Sequence, residues 1–398
     1  MRVLISGAGI AGPALAHWLQ LGGVDVTVVE RAQQPRVGGQ AVDIRGAAKR
    51  VVERMGLMPD VMALRLDERG VATVDDRGRR TSEMPADAFG GEGFVAEIEI
   101  MRGDLGRVLY EATRDRVEYR FGTRVTAIDQ SGDGVVVRFA DEEDGGQERF
   151  DVVVGADGVH SGVRAIAFGP EADYVRPLGA YMAWFSVPDP GDLDHWMYMY
   201  NAPGGLVAGL RPERDGIAKA YLSFTSAEPG LERAPVREQQ RRLAERFARA
   251  RWRVPELLAA VPEAPDFVLD SISQVRVDDW SRGRVVLLGD AGYCGSPLAG
   301  LGTSLALVGA YVLAGELTQA RGVGAFAADQ ERLREYVATA TELPPGGIGA
   351  FAPQGRAMIR MRAMSMRMML RWPMKQILAG QFAKAGAFDL PDYEMVRS

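Results

Sequence analysis

Near the start of the chain, three glycines stand at a spacing that suits a phosphate. Gly7, Gly9 and Gly12 form G-x-G-x-x-G, with Ile10 and Ala11 inside it. The first glycine of such a motif permits a tight turn, the second lets backbone approach a pyrophosphate, and the third lets helix and strand pack closely. Glu30 follows about twenty residues on, where a carboxylate can accept hydrogen bonds from both hydroxyls of an adenosine ribose and would repel a 2′-phosphate. The chemistry is dinucleotide binding, of FAD or NAD rather than NADP. Two further acids end apolar runs. Asp157 and Gly158 close DVVVGADG over 151–158, followed by Ser161 and Arg164. Gly289 and Asp290 lie in RVVLLGDA over 284–291, ahead of Pro297, Gly300, Leu301, Gly302 and Thr303. Each alone reads as an aspartate capping a strand–turn–helix junction. Three such sites in this order form a set.

These residues need particular elements to hold them. A buried strand is expected over 2–6, a helix over 13–21 with Pro13 in its first turn, and a strand over 24–29 ending at Glu30. Buried strands should precede Asp157 and Asp290, and a long apolar helix should open near Gly302. A helix N-terminus offers unpaired N–H groups and positive partial charge to a phosphate or to an anionic ring.

The 398 residues are too many for one minimal core and suggest two or three packed lobes. With 47% hydrophobic and 25% charged residues, the core is large enough to exclude water from a reaction site. A net charge of -6 counts against a nucleic-acid partner. The single cysteine, Cys294, excludes an intramolecular disulfide and fits a cytoplasmic setting. No secretory segment is expected, and no integral membrane segment: the best candidate, 298–317, is broken by four glycines. His17, His160 and His195 show no ligand spacing, so no metal site is expected.

As a set, the three motifs resemble the class A flavoprotein monooxygenases of the para-hydroxybenzoate hydroxylase type, over residues 2–317. Within that class the chain is similar to the tetracycline-inactivating and polyketide-tailoring monooxygenases. The resemblance implies an α/β fold: a Rossmann-type FAD-binding domain with an inserted mixed-sheet substrate domain and a C-terminal helix. It implies FAD, with NADPH or NADH as reductant and no separate NADPH domain. In the family's pattern Gly7, Gly9 and Gly12 hold the pyrophosphate and Glu30 the ribose, with Ile10, Ala11 and Arg31 also among the expected cofactor-binding residues. Arg102 and Leu105, in MRGDL, contact FAD. Asp157 and Gly158 serve FAD and NADPH. Gly289 and Asp290 bind the ribityl or pyrophosphate portion, and Pro297, Gly300, Leu301, Gly302 and Thr303 line the isoalloxazine. Arg36, before the double glycine 38–39, is linked to NADPH and Asp43 to FAD. The family often has histidine near 293 and asparagine at 304, where this chain has Tyr293 and Ser304.

The implied function is hydroxylation of a bulky aromatic or polyketide-like molecule by molecular oxygen through a flavin C4a-hydroperoxide, in antibiotic biosynthesis or modification. The flavin carries the chemistry, so no catalytic side chain is required. The alternatives are a flavin-linked reductase or halogenase, although the halogenase W-x-W-x-I-P run is missing, and a non-catalytic flavoprotein that sequesters a ligand. The FAD-binding domain is expected over 1–75, 100–175 and 277–340, and the substrate domain over 76–99 and 176–276. Tyr181, Trp184, Tyr200 and Phe224 are the candidate substrate residues, against the plainer reading of a sheet core. An acidic hairpin turn is expected over 141–146 and a loop or hinge over 343–349. The tail, 341–398, is rich in Met and Arg over about 354–380, with Pro373 kinking or restarting a helix. It could wall off the pocket across both domains, form a dimer contact or lie on a membrane surface, the first being favoured. The chain is expected to be a monomer or homodimer.

Overall fold

A computed structural model describes residues 1–394 except 37, 92, 94–95, 141–145 and 386. Most of the expected acidic turn lies outside the described residues. The strands beside it, Gly134–Phe139 and Gln147–Phe150, pair antiparallel.

Short valine- and isoleucine-rich runs, buried on both faces, form the inner strands of a parallel sheet. Its order is Ser281–Arg282, Val285–Leu287, Val152–Gly155, Arg2–Ser6, Asp25–Glu30, Glu118–Phe121. All neighbours are parallel except the Ser281–Arg282 edge. From Arg2–Ser6 the chain crosses through helix Ala11–Leu21 to Asp25–Glu30 on one side. After Val152–Gly155 the next strand to join this sheet lies on the other side. Connections that diverge from adjacent parallel strands open a crevice beyond their carboxyl ends. Helix Gly302–Ala320, buried through most of its length, packs on the first helix and closes the core beneath.

The second layer is a seven-stranded mixed sheet, in the order Val268–Val275, Val175–Pro188, Ile217–Thr225, Leu206–Pro212, Trp196–Ala202, Gly70–Val74, Arg80–Pro85. Two expected boundaries move. Strand Gly70–Val74, placed with the nucleotide lobe, pairs inside this second sheet with Trp196–Tyr200. Its five residues are all buried, so composition could not tell which sheet claims them. In the other direction Glu99, assigned to the substrate domain, belongs to the hairpin-like ladder of Ala41–Asp43 with Glu99–Met101, where Asp43 faces Glu99.

Alternation along the second sheet gives it two apolar faces. The outer face holds Tyr181, Phe185, Tyr200, Leu222 and Phe224, covered by helices Val236–Phe247 and Val254–Ala260 through Leu243, Phe247 and Leu257. The inner face holds Met182, Trp184, Met197, Met199 and Tyr221, and packs with Leu298 of the loop that opens helix Gly302–Ala320.

Past 340 the expected loop contains a short helix, Gly347–Phe351, then Arg356–Met369 and Met374–Ala385 with Pro373 between them. Met366 is buried on the edge of the second sheet, taking hydrogen bonds from Thr73 at 3.5 Å and Ser82 at 3.7 Å. The opposite side of these helices exposes Met361, Met364, Met368 and Trp372. Residues 388–394 return to the nucleotide layer, where Tyr311 donates to the Pro391 carbonyl and Tyr393 to Glu316, both at 2.7 Å. No described helix is long and apolar enough to cross a membrane.

Candidate active site

The glycine motif divides its labour as its spacing requires. A Cβ on Gly7 would lie 2.4 Å from the Ala156 carbonyl oxygen, and one on Gly12 1.9 Å from the Gly7 carbonyl oxygen. Both glycines are needed by the fold. A Cβ on Gly9 would meet nothing closer than the Arg102 guanidinium at 3.9 Å, so the space above Gly9 is open and free for a ligand. The helix behind it has no side-chain cap and no acid in its first turn. Its N–H groups therefore face the crevice as donors. Ile10 and Ala11 have buried side chains, so they contribute backbone only.

Glu30 stands at the crevice mouth. Its carboxylate accepts the Ala8 and Ala32 N–H groups, each at 2.9 Å, which fixes the glycine turn. Arg36 lies within electrostatic range of Glu30, Arg31 and Arg102. None of these three arginines makes an ion pair with a described residue. Open space, an uncapped helix and unpaired guanidinium groups fit a dinucleotide pyrophosphate. Leu105 does not share in this: it is 1% exposed with no ligand present, in the core that seats helix Arg102–Glu111, and has no surface left to offer.

Asp157 is turned inward. It accepts N–H groups from Gly162 at 2.9 Å and Val163 at 3.1 Å, and the Ser161 hydroxyl. Burial raises its carboxyl above the usual range, and these bonds oppose the rise. Gly158 makes the open left-handed turn beside it. Buried Arg164 donates to the Ala291 carbonyl at 2.8 Å and ties the second motif to the third. His160 does the same for the second sheet, bonded to Glu171 at 3.0 Å and Asp270 at 3.2 Å. These partners lift it to about 9, the Asp270 bond being the strongest, against the cost of burial. His17 is held near 4 by burial within the first helix, and His195 is exposed.

In the third motif Gly289 takes a left-handed turn and Asp290 begins a short helix. A Cβ on Gly302 would lie 3.8 Å from the Asp290 carboxylate, so this acid faces the start of helix Gly302–Ala320. That helix, with Leu301 as its N-cap, also has neither a side-chain cap nor an acid in its first turn. Pro297 and Gly300 are exposed, and Gly302 and Thr303 half-exposed, on the same loop. A fixed positive helix end here suits a ring that gains negative charge on reduction. Ser304, buried, bonds to the Arg45 backbone at 3.4 Å, a structural tie at the position where the resemblance expected asparagine. Burial, then Asp290, pushes the Cys294 thiol well above its ordinary range.

Asp43 belongs to a group that sequence reasoning missed. It pairs with Arg45 at 2.6 Å, while Arg211 lies 3.0 Å from Glu68 and 3.3 Å from Glu99. Three carboxylates share two guanidinium groups. Burial lifts Asp43 and Glu99 each to about 7; for Asp43 the adjacent Glu99 adds to it, and for Glu99 Glu68 does. Strand pairing sets Asp43 opposite Glu99, and no local motif announces the group.

Three of the four aromatic candidates are on the wrong face. Tyr181 donates to the Glu228 carbonyl, Tyr200 to Asp76, each at 2.8 Å, and Phe224 lies beneath Arg246. All three are covered by helices on the outer side. Trp184 alone is on the inner face, where the structure adds Tyr221, Met197, Met199 and, from the tail, Phe351.

A family described as an FAD binding domain matches residues 1–344. An uncharacterised protein of Mycobacterium tuberculosis is 42% identical over 322 residues, 80% of this chain and 85% of that one. A protein of Legionella longbeachae named as a flavin-dependent monooxygenase is 37% identical over 340 residues, 85% of this chain and 86% of its own length. The crystal structure of the tetracycline destructase Tet(55) superposes with a TM-score of 0.81 at 34% identity, covering 98% of each chain.

Proposed function

Because the chain belongs to the class A FAD-dependent monooxygenases, we propose that it oxidises NADPH or NADH to hydroxylate a bulky aromatic or polyketide-like molecule held beneath the second sheet. Bound FAD would supply electron transfer and oxygen activation. The chain's own residues bind, orient and exclude water. Gly9, the helix end at Ala11 and Arg102 would take the pyrophosphate, with Glu30 at the adenosine ribose. Asp290 and Asp43 would take the ribityl side, and the positive end of helix Gly302–Ala320 the pyrimidine edge. Arg36 and Arg31, at the crevice mouth, would meet the reductant.

The observation that carries the reading is one apolar contact. Leu298, on the loop expected to line the flavin, packs in the same cluster as Trp184, Met199, Tyr221 and Phe351. The apolar inner face of the second sheet therefore meets the cofactor loop, with Phe351 of the tail packed beside it. Such a site keeps reactive oxygen from water. The test is NADPH and NADH consumption by the FAD-loaded protein across a panel of phenols, anthraquinones and tetracyclines. The expected result is at least tenfold stimulation by one polycyclic member, with a product one oxygen heavier. Reductant consumption that no member accelerates would overturn the proposal.

A further inference from the structure

Two polar groups on the inner face of the second sheet are incompletely matched: Tyr221 lacks a hydrogen-bond partner, and Arg362 lacks a carboxylate among the described residues. Tyr221 is 8% exposed, and its hydroxyl has no hydrogen-bond partner. Its ring crosses strand Leu206–Pro212 at Gly209, where a Cβ would lie 1.9 Å from the ring, so the residue opposite is glycine to let the tyrosine lie flat. Arg362 reaches the same face from the tail helix. It donates to the Asn201 amide oxygen at 2.6 Å and to the Met199 sulfur at 3.1 Å. Asn201 is itself oriented, its amide N–H₂ bonding the Phe351 carbonyl at 3.2 Å.

Arg362 makes no ion pair with a described carboxylate, and Tyr221 is the group that acts on its charge. Burial lowers its pKa, as expected for a guanidinium without a counter-ion. Arg211 and Glu68 also lie within electrostatic range of Tyr221, but they are paired with each other. Neighbouring arginines 45 and 211 each hold a carboxylate, so the missing partner is particular to Arg362.

A guanidinium only donates, and a buried tyrosine hydroxyl with no acceptor has a proton to give. Together they offer hydrogen bonds and one positive charge to an oxygen that accepts and carries negative charge. The surroundings are Trp184, Met182, Met199 and Phe351, which suit a flat ring system. We propose that Tyr221 and Arg362 form a subsite for an ionised phenol or enol oxygen on a polycyclic aromatic substrate. Ionisation enriches the ring in electrons, and an electron-rich carbon is what an oxygen-transferring flavoenzyme needs from its substrate. The inference rests on the reading that an aromatic substrate enters under this sheet.

The test measures binding alone, on FAD-loaded protein, with β-hydroxyanthraquinone, its methyl ether and β-anthraquinone carboxylate. Dissociation constants come from quenching of protein and flavin fluorescence, and ionisation from the visible spectrum of the bound phenol. Wild type should prefer the phenol to its ether and lower its ionisation pH by about one unit, a tenfold effect typical of a charge-assisted hydrogen bond. Arg362→Met should abolish that preference while leaving ether affinity and flavin content unchanged. Arg362→Lys should restore part of it, and Tyr221→Phe should lose a smaller part. Equal weakening of phenol and ether, no effect of either substitution, or no binding of either compound would overturn the subsite. Arg362-dependent binding of the carboxylate but not the phenol would overturn its assignment to a ring oxygen. If Arg362→Met fails to fold, the Lys and Phe variants decide. A protein that discriminates as expected yet hydroxylates nothing would sink the functional reading and leave the subsite standing.

Discussion

Gly9 separates ligand binding from folding more cleanly than any other residue in the crevice. Its Cβ position is open, whereas those of Gly7 and Gly12 are filled by backbone. Gly9→Ala should keep the melting temperature and lose at least tenfold in FAD affinity, measured by flavin fluorescence on titration. Gly12→Ala should cost stability outright, seen as a lower melting temperature. The carboxylate cluster makes a different prediction. Carboxyls raised from 4.5 to about 7 in the fold, as Glu99 is, contribute stability that is full below pH 4.5 and lost as pH rises through about 7. Glu99→Gln should flatten that slope, roughly 1.4 kcal/mol per pH unit at its steepest for one proton, in urea titrations across this range. Gly9, Glu30 and Asp290 were legible in the sequence because turn, helix and acid lie within a short stretch of chain. Tyr221, Glu68, Glu99 and Arg362 were not, because strand register and tail docking bring them in from far apart. Tyr181, Tyr200 and Phe224 were misplaced for a related reason. When a sheet is buried on both faces, alternation is visible but its phase is not.

At the scale of elements, two joins hold the second sheet over the crevice. His160 bridges the second motif to strand Val268–Val275 and titrates near 9 because Asp270 and Glu171 favour its charged form. Its contribution is full below the ordinary value of 6.5 and lost as pH rises through about 9, the same sign as the carboxylate cluster but in a more alkaline window. His160→Gln should remove that alkaline dependence, read as a melting temperature that no longer falls between these limits faster than elsewhere. The second join is the tail helix. Met366 is its buried anchor, and Met366→Ala should weaken docking by roughly 2 kcal/mol, the low end for truncating a buried methionine. Limited proteolysis should then cut 354–374 much faster than in wild type. The strands of the nucleotide layer were legible from their apolar runs and turns. The tail's direction was not, since its methionines populate both the packed and the exposed sides.

The molecule as a whole is two sheets facing one another across a crevice that neither completes alone. The first supplies open glycine backbone and two uncapped helix ends, and the second an apolar ceiling with Tyr221, to which the tail helix adds Arg362. The tail ties the layers together at their edge. This arrangement expects oxygen transfer to a molecule lying between them, and isotopic labelling tests that directly. With NADPH, the FAD-loaded protein and a stimulating aromatic, turnover under heavy-isotope dioxygen should place one labelled oxygen atom in the organic product. Oxygen consumption that ends wholly as hydrogen peroxide, with every aromatic recovered unchanged, would contradict the account.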